Sequence, residues 1–253
     1  MRTIVLASGS QGNAILVKSG SSAILFDLGI SLRKLKFRLA ELNEDLSGLE
    51  AVFISHEHGD HINGLEIFLR KIPLPVFATQ GTWDSPLMSG LKQHRVCFKC
   101  GEPIPLNGFE VQAFRLPHDA AEPVGFIVSD REHKLALATD FGSVNALVLE
   151  RLKGAELLII ESNHDEDMLR KGPYPWPLKQ RILSRCGHLS NPDCARLLSK
   201  IQNHGLKNVV LAHLSEKNNR PELAYAAARD RVDQRIPIHL TNQKRPGPII
   251  DLK

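Results

Sequence analysis

Ser55-His56-Glu57-His58-Gly59-Asp60-His61 follows directly on the apolar run Ala51-Val52-Phe53-Ile54. Three histidines and one aspartate fall within six positions, in a chain with only 11 histidines among 253 residues. Such a cluster at the end of a buried strand is costly to assemble unless a cation sits in it. Imidazole nitrogen and carboxylate oxygen are the ligands that zinc and related divalent ions prefer. The spacing of His56 and His58 lets both rings reach one ion from an extended or tightly turning backbone. Asp60 and His61, being adjacent, are better placed to serve a second. A histidine-rich surface loop is the bland alternative.

A two-metal site needs more ligands, and three other runs supply them in the same setting. His118 follows the alternating segment Phe109–Phe114. Asp140 ends Lys134-Leu135-Ala136-Leu137-Ala138-Thr139, and His213 ends Val209-Val210-Leu211-Ala212. In each case a ligand type sits just past a hydrophobic strand, where a rigid scaffold projects side chains toward one edge. A single histidine or aspartate at a strand end is usually a cap. Three of them behind the heptapeptide form a ligand set.

The order His-x-His-x-Asp-His, then a later histidine, an aspartate and a last histidine, resembles the metallo-β-lactamase superfamily over nearly the whole chain. Further short motifs resemble one bacterial branch of it, the YycJ (WalJ) proteins. These are Ala7-Ser8-Gly9-Ser10-Gln11-Gly12-Asn13-Ala14, the stretch from His118 to Phe126, and Glu161-Ser162-Asn163-His164-Asp165. Tyr174-Pro175-Trp176-Pro177, Gly187-His188-Leu189-Ser190-Asn191 and Ala212-His213-Leu214-Ser215 complete the set. The resemblance implies an α/β fold of the four-layer αββα sandwich type, with metals at one edge between two sheets. It also implies a DNA exonuclease working 5′→3′ in repair or replication. Carried over by position, His56, His58 and His118 hold a first metal, Asp60, His61 and His213 a second, and Asp140 bridges them. Asp60 also orients the attacking hydroxide. Asp27, ending Ala23-Ile24-Leu25-Phe26, supports a ligand or the turn after His61 from behind. A plain strand-end turn with Gly29 is its alternative.

The ligand types themselves argue for hydrolysis. A divalent ion lowers the pKa of its water from about 15.7 to near 7, and two ions can share that hydroxide and stabilise a leaving oxygen. Zinc fits histidine and aspartate ligands; manganese or iron would also be accommodated. His188 is a candidate proton donor to a substrate phosphate, since histidine titrates near neutrality. His164, with Glu161, is a candidate supporting pair behind the ligands. Arg170, Lys171, Lys179, Arg181 and Arg185 flank Trp176, and place basic charge beside an aromatic able to stack on a base. Trp176, Lys179, Arg181, Ser190 and Asn191 are therefore the expected substrate contacts. The glycines of Ser8–Asn13 match neither dinucleotide nor Walker spacing, and predict a tight turn instead.

Composition sets wide bounds. A chain of this length can form one domain over 1–253, burying about three-quarters of the surface its unfolded form exposes. No apolar stretch approaches the ~20 residues of a membrane span, and the apolar core after Met1 is too short for a signal peptide. Four scattered cysteines, with a lone C-x-x-C at Cys97 and Cys100, predict reduced thiols and a cytoplasmic setting. The net charge of +4 permits a polyanionic substrate without requiring one. DNA is the expected partner; oligomeric state is not encoded. Two competitors remain open: hydrolysis of a small ester, thioester or cyclic phosphodiester, and a non-catalytic metal-binding protein.

Periodicity predicts strands at 3–7, 14–18, 22–27, 51–55, 76–78, 109–114, 124–129, 134–139, 157–161, 209–212 and 236–240. It predicts helices capped by Ser31, Ser143 and Asn191, one after His61, and one after Pro221.

Overall fold

Runs such as Ala23-Ile24-Leu25-Phe26 and Leu157-Leu158-Ile159-Ile160 are apolar at every position, so neither face can be left to water. In the computed structural model, which describes residues 1–253, both runs are buried throughout. The first sheet is built from β1 (Arg2–Ala7), β2 (Ala14–Ser19), β3 (Ser22–Phe26), β4 (Leu49–Phe53), β5 (Val76–Thr79) and β6 (Arg95–Phe98) in sequence order. The second is built from β7 (Pro103–Leu106), β8 (Phe109–Arg115), β9 (Val124–Ser129), β10 (Lys134–Ala138), β11 (Leu157–Glu161), β12 (Asn208–Ala212) and β13 (Ile238–Leu240). The C-terminal β14 (Ile249–Asp251) returns to the first sheet, pairing Ile249 with Ile4 on β1. Each sheet follows one plan, an antiparallel meander that turns parallel: at β3–β4 in the first and at β10–β11 in the second.

Helices cover the outer faces. They are α1 (Leu32–Glu41), α2 (Gly59–Ile62), α3 (Leu65–Lys71), α4 (Gln80–Asp84), α5 (Ala146–Leu152), α6 (Glu166–Lys171), α7 (Trp176–Ile182), α8 (Asn191–Ile201) and α9 (Pro221–Arg229). The pleat sorts the apolar residues into three layers. Ile24, Phe26, Leu157 and Ile159 point between the sheets, where Phe26 meets Phe126 at 5.0 Å and Phe53 meets Phe126 at 5.8 Å. Ala23 and Leu25 pack under α1 and α3, while Leu158 and Ile160 pack under α5, α8 and α9. Each fully buried Phe or Ile contributes about 1.5–3 kcal/mol. The result is the αββα sandwich expected.

Several local expectations need correction. Ser31 caps α1 as predicted, accepting from the Lys34 N–H. Ser143 does not cap α5: Asn145 does, and the Ser143 hydroxyl donates to the Arg185 carbonyl. Ser190, not Asn191, caps α8, accepting from the Asp193 N–H at 3.2 Å. That helix ends at Ile201, short of Gly205. Strands β6, β7 and β14 and helices α2, α4, α6 and α7 were not anticipated, nor was the 3₁₀ segment Pro86–His94.

Candidate metal centre

The parallel strands deliver their chemistry at their C-terminal ends. Asp27 follows β3, His56 follows β4, Asp140 follows β10, and His213 follows β12. Asp27, Asp140 and His213 all adopt left-handed backbone, with φ of 56°, 61° and 54°. Such conformations cost of order 1–3 kcal/mol each and persist only where the surroundings impose them. Here the impositions are visible. The Ser8 hydroxyl accepts from the His213 N–H at 2.7 Å, and Glu161 accepts from the Phe141 N–H at 2.9 Å. Asp27 accepts from the Ser55 N–H at 2.8 Å.

The heptapeptide is clamped to the strand ends by backbone. Asp60 O accepts from the Asn13 N–H at 2.7 Å, and His61 O accepts from the Leu28 N–H at 2.7 Å. This approach is so close that a Cβ on Gly29 would lie 1.7 Å from the Asp60 carbonyl oxygen, which explains the glycine. The Ser8–Asn13 turn thus steadies the site from the N-terminal side. Its Asn13 amide nitrogen also lies 3.0 Å from His61 Nε2 and 3.3 Å from the Asp60 carboxylate.

Four histidines are each held by Nδ1. His61 donates to Asp27 at 2.8 Å, His118 to the Gly187 carbonyl at 3.1 Å, and His213 to Glu161 at 3.0 Å. His56 Nδ1 lies 3.0 Å from the Ser55 hydroxyl, which itself donates to Asp27. Fixing one nitrogen selects the tautomer and aims the other. The aimed atoms, Nε2 of His56, His118 and His213, are buried without a hydrogen-bond partner, as is Asp140 Oδ2. Asp119 comes within 3.3 Å of His118 Nε2 without hydrogen-bonding to it. Buried polar atoms with no partner are rare, and a converging set of them fits a cation.

The donor atoms gather into overlapping groups, each within 4.8 Å: His56, His58 and His118; His56, His61 and Asp140; Asp60, His61 and His213. Asp140, of the second group, also reaches the third, with Oδ2 3.3 Å from His61 Nε2 and Oδ1 3.3 Å from His213 Nδ1. A further group joins Asp140, Glu161, His188 and His213. Its members already satisfy one another, since Glu161 accepts from His188 Nδ1 at 2.7 Å as well as from His213.

Charge is balanced across the cluster. Burial opposes charge on His61 and His213, yet Asp27 and Asp140 around the first, and Asp140, Asp60 and Glu161 around the second, hold both imidazoles well above their usual pKa. Burial pushes the His56 imidazole well below it, with His61 adding repulsion. Burial also opposes ionisation of Glu161, but His188 and His213 outweigh it and hold the carboxyl down at about 2. Because a ligating imidazole must be neutral, metal uptake near pH 7 is expected to displace protons from His61 and His213. Affinity then falls as pH drops. Calorimetry of zinc binding in buffers of different ionisation enthalpy measures the release; buffer-independent heats would refute it.

The centre opens into a cavity of about 250 Å³. His58, Asp60, His118, Asp140, His188 and His213 line it, together with Ser10, Asp119, Asn163, Gly187, Leu214 and Ser215, and one wall is formed by Tyr174, Leu178, Arg181 and Ile182. Arg181 is an ion-pair partner of Asp119 there. Gly187 lets the His188 loop lie against α7, where a Cβ would be 2.2 Å from the Arg181 and Ile182 carbonyl oxygens.

Other expected site residues are placed elsewhere. Trp176 begins α7 and is 60% exposed, outside the cavity, and Lys179 donates to the Arg170 carbonyl. Ser190 and Asn191 are buried, the first as a cap and the second hydrogen-bonded to Ser162 and Asn219, so neither faces a substrate. His164 is buried with neither ring nitrogen hydrogen-bonded, to Glu161 or to anything else. Ser55, which links Asp27, His56 and His61, and the cavity residue Tyr174 were not singled out from sequence, although both stand inside motifs that were.

Known proteins are similar to this chain in sequence and in fold. The Beta-lactamase superfamily domain model matches residues 22–214. The Exodeoxyribonuclease YycJ of Bacillus anthracis is 38% identical over 258 residues, covering 97% of each chain. The Exodeoxyribonuclease WalJ of Streptococcus pneumoniae serotype 2 (strain D39 / NCTC 7466) is 35% identical, covering 87% of this chain and 84% of its own. The crystal structure of the metallo-beta-lactamase fold protein YhfI from Bacillus subtilis superposes with a TM-score of 0.74 at 18% identity, over 99% of both chains. Fold, metal-binding clusters and these similarities together make the chain a metal-dependent hydrolase that belongs to the metallo-β-lactamase superfamily and, within it, to the YycJ/WalJ family.

Proposed function

We propose that the protein is a two-metal phosphodiesterase that removes nucleotides from the 5′ end of DNA, in the setting of repair or replication. The observation that carries it is that the overlapping donor groups open on one small cavity, which their members His58, His118, His213, Asp60 and Asp140 line. Support for DNA as substrate comes from the two relatives named exodeoxyribonucleases. At about 250 Å³ the cavity is smaller than the ~300–1,000 Å³ of ordinary ligand pockets. It suits the end of a strand better than a length of duplex. The four free cysteines agree with a reducing, cytoplasmic setting.

His56, His58 and His118 would hold one divalent ion, Asp60, His61 and His213 the other, and Asp140 would lie between them. Zinc or manganese suits these donors, and iron is compatible. Such ions supply acidified water and positive charge at the phosphodiester oxygens. The rest belongs to the chain. Asp60, whose carboxyl burial pushes up but His61 and His213 pull below its usual pKa, remains ionised and orients the attacking water. His188 is held by Glu161 through Nδ1, leaving Nε2 for the cavity. Burial opposes its charge, but Glu161 outweighs burial and raises its pKa, so Nε2–H donates to the leaving oxygen. Arg181, steadied by Asp119, offers its guanidinium to a phosphate from the wall.

The test compares a 5′-phosphorylated linear duplex with a 5′-protected one, with zinc or manganese, against Asp60→Ala. Digestion of the phosphorylated duplex alone, lost in the variant and weakened by salt, is the expected result. No digestion by fully metallated protein would remove DNA as the substrate and leave small esters or phosphodiesters.

A further inference from the structure

Tyr174 lines the metal cavity beside Leu178 and Arg181, just ahead of α7. The Lys217 ammonium sits over its ring, 5.7 Å from the centroid. A cation over one face holds the ring by attraction to its π-electrons, and leaves the opposite face for a second flat partner. Lys217 itself belongs to an adjoining cleft lined by Asn242 and Lys244, which shares Leu214 and Ser215 with the metal cavity. Its one carboxylate, Glu216, accepts from the Gln11 amide at 3.0 Å. Phosphodiester chemistry, an aromatic ring and basic charge therefore follow one another along a continuous surface.

We propose that Tyr174 is the platform on which the nucleobase next to the scissile phosphodiester stacks, with Lys217 fixing the ring from its other face and leading the strand's phosphates into the Lys244 cleft. This rests on the phosphodiesterase function proposed above and adds what the enzyme grips. Every base has a π-face, so such a platform tolerates any sequence, as an end-degrading enzyme requires. Trp176, the other aromatic of the same segment, is too exposed and lies outside the cavity. A free nucleotide would present the same base and phosphate, so the experiment needs an arm for each source.

Zinc-loaded wild type, Tyr174→Phe and Tyr174→Leu are titrated calorimetrically with dAMP and with deoxyribose 5-phosphate. Wild type and Tyr174→Phe are expected to prefer dAMP by roughly 5- to 100-fold, the usual worth of one base–aromatic stack. In Tyr174→Leu that preference disappears while sugar-phosphate affinity and zinc content stay unchanged, which also reports an intact fold. The second arm compares KM for 5′-phosphorylated strands ending in a normal or an abasic nucleoside; wild type discriminates and Tyr174→Leu does not. Equal binding of dAMP and deoxyribose 5-phosphate by wild type overturns the proposal, whatever the variants do. So does an undiminished dAMP preference in Tyr174→Leu. If the preference is lost in Tyr174→Leu but wild type leaves DNA intact, the platform stands, the DNA substrate falls, and free nucleotides are what it grips.

Discussion

Glu161→Gln is expected to lower DNA hydrolysis by about 10²–10³-fold and metal affinity by about 10–100-fold without unfolding the protein. The carboxylate has four donors to satisfy. Oε1 accepts from His188 and His213, and Oε2 accepts from the N–H groups of Phe141 and Leu189. Glutamine keeps one acceptor oxygen, and its NH₂ either faces the Phe141 and Leu189 N–H groups, donor against donor, or turns to the two Nδ1 atoms, which must give up their protons to accept from it. His213 loses the bond that aims Nε2, and His188 loses the negative charge that raises its pKa. An acid must be protonated to work, so a lower His188 pKa brings the alkaline fall of kcat to lower pH. Zinc content, kcat and the pH profile are read together. A variant with wild-type metal affinity and an unmoved alkaline limb would show that Glu161 only fills space.

Much of this centre is legible in sequence because its ligands stand at the ends of apolar runs. His56, His118, Asp140 and His213 could be picked out for that reason, and the structure brings them together. What sequence does not carry is the backbone that aims them. Positive φ at Asp27, Asp140 and His213 arises from contacts with Ser55, Glu161 and Ser8, residues far away in the chain. Neighbouring capping residues present the same difficulty on a smaller scale. Ser143 and Asn145 are equally good cap types, and what separates them is that Arg185 takes the Ser143 hydroxyl.

The missed elements have similar causes. Pro103-Ile104-Pro105-Leu106 reads against a strand, yet β7 is a sheet edge bonded only to β8, where prolines are tolerated. Strand β14 exists because the C-terminus returns to β1, a pairing across almost the whole chain. Helix α7 starts inside Tyr-Pro-Trp-Pro, because a proline in the first turn is compatible with helix. That helix turns Trp176 to solvent, outside the cavity that Tyr174 lines.

Asp140→Asn should be the most damaging conservative change in the molecule. Asparagine accepts left-handed backbone as readily as aspartate, so the turn at φ 61° survives and the loss is one of charge and ligation. The expected result is fewer than two metal ions retained per chain and a fall in hydrolysis on the order of 10³-fold, the several kcal/mol that bound metal contributes. The metal-free protein offers an independent check. Asp140 lies 3.3 Å from both His61 and His213, nearer than Asp60 at 3.6 Å from each, and it helps hold both protonated. Removing its charge from a buried cluster would cost about 3–5 kcal/mol if the histidines stayed charged. They need not, because each can release its proton as its pKa falls. The raised folded-state pKa of each histidine adds stability below the unfolded value of about 6.5, lost as pH rises through the folded value. The Asn variant lacks much of that increment, so its deficit in Tm should be largest in mildly acidic buffer and shrink toward alkaline pH. Full retention of two ions, or a Tm deficit that grows with pH, would place the charge balance of this centre on some residue other than Asp140.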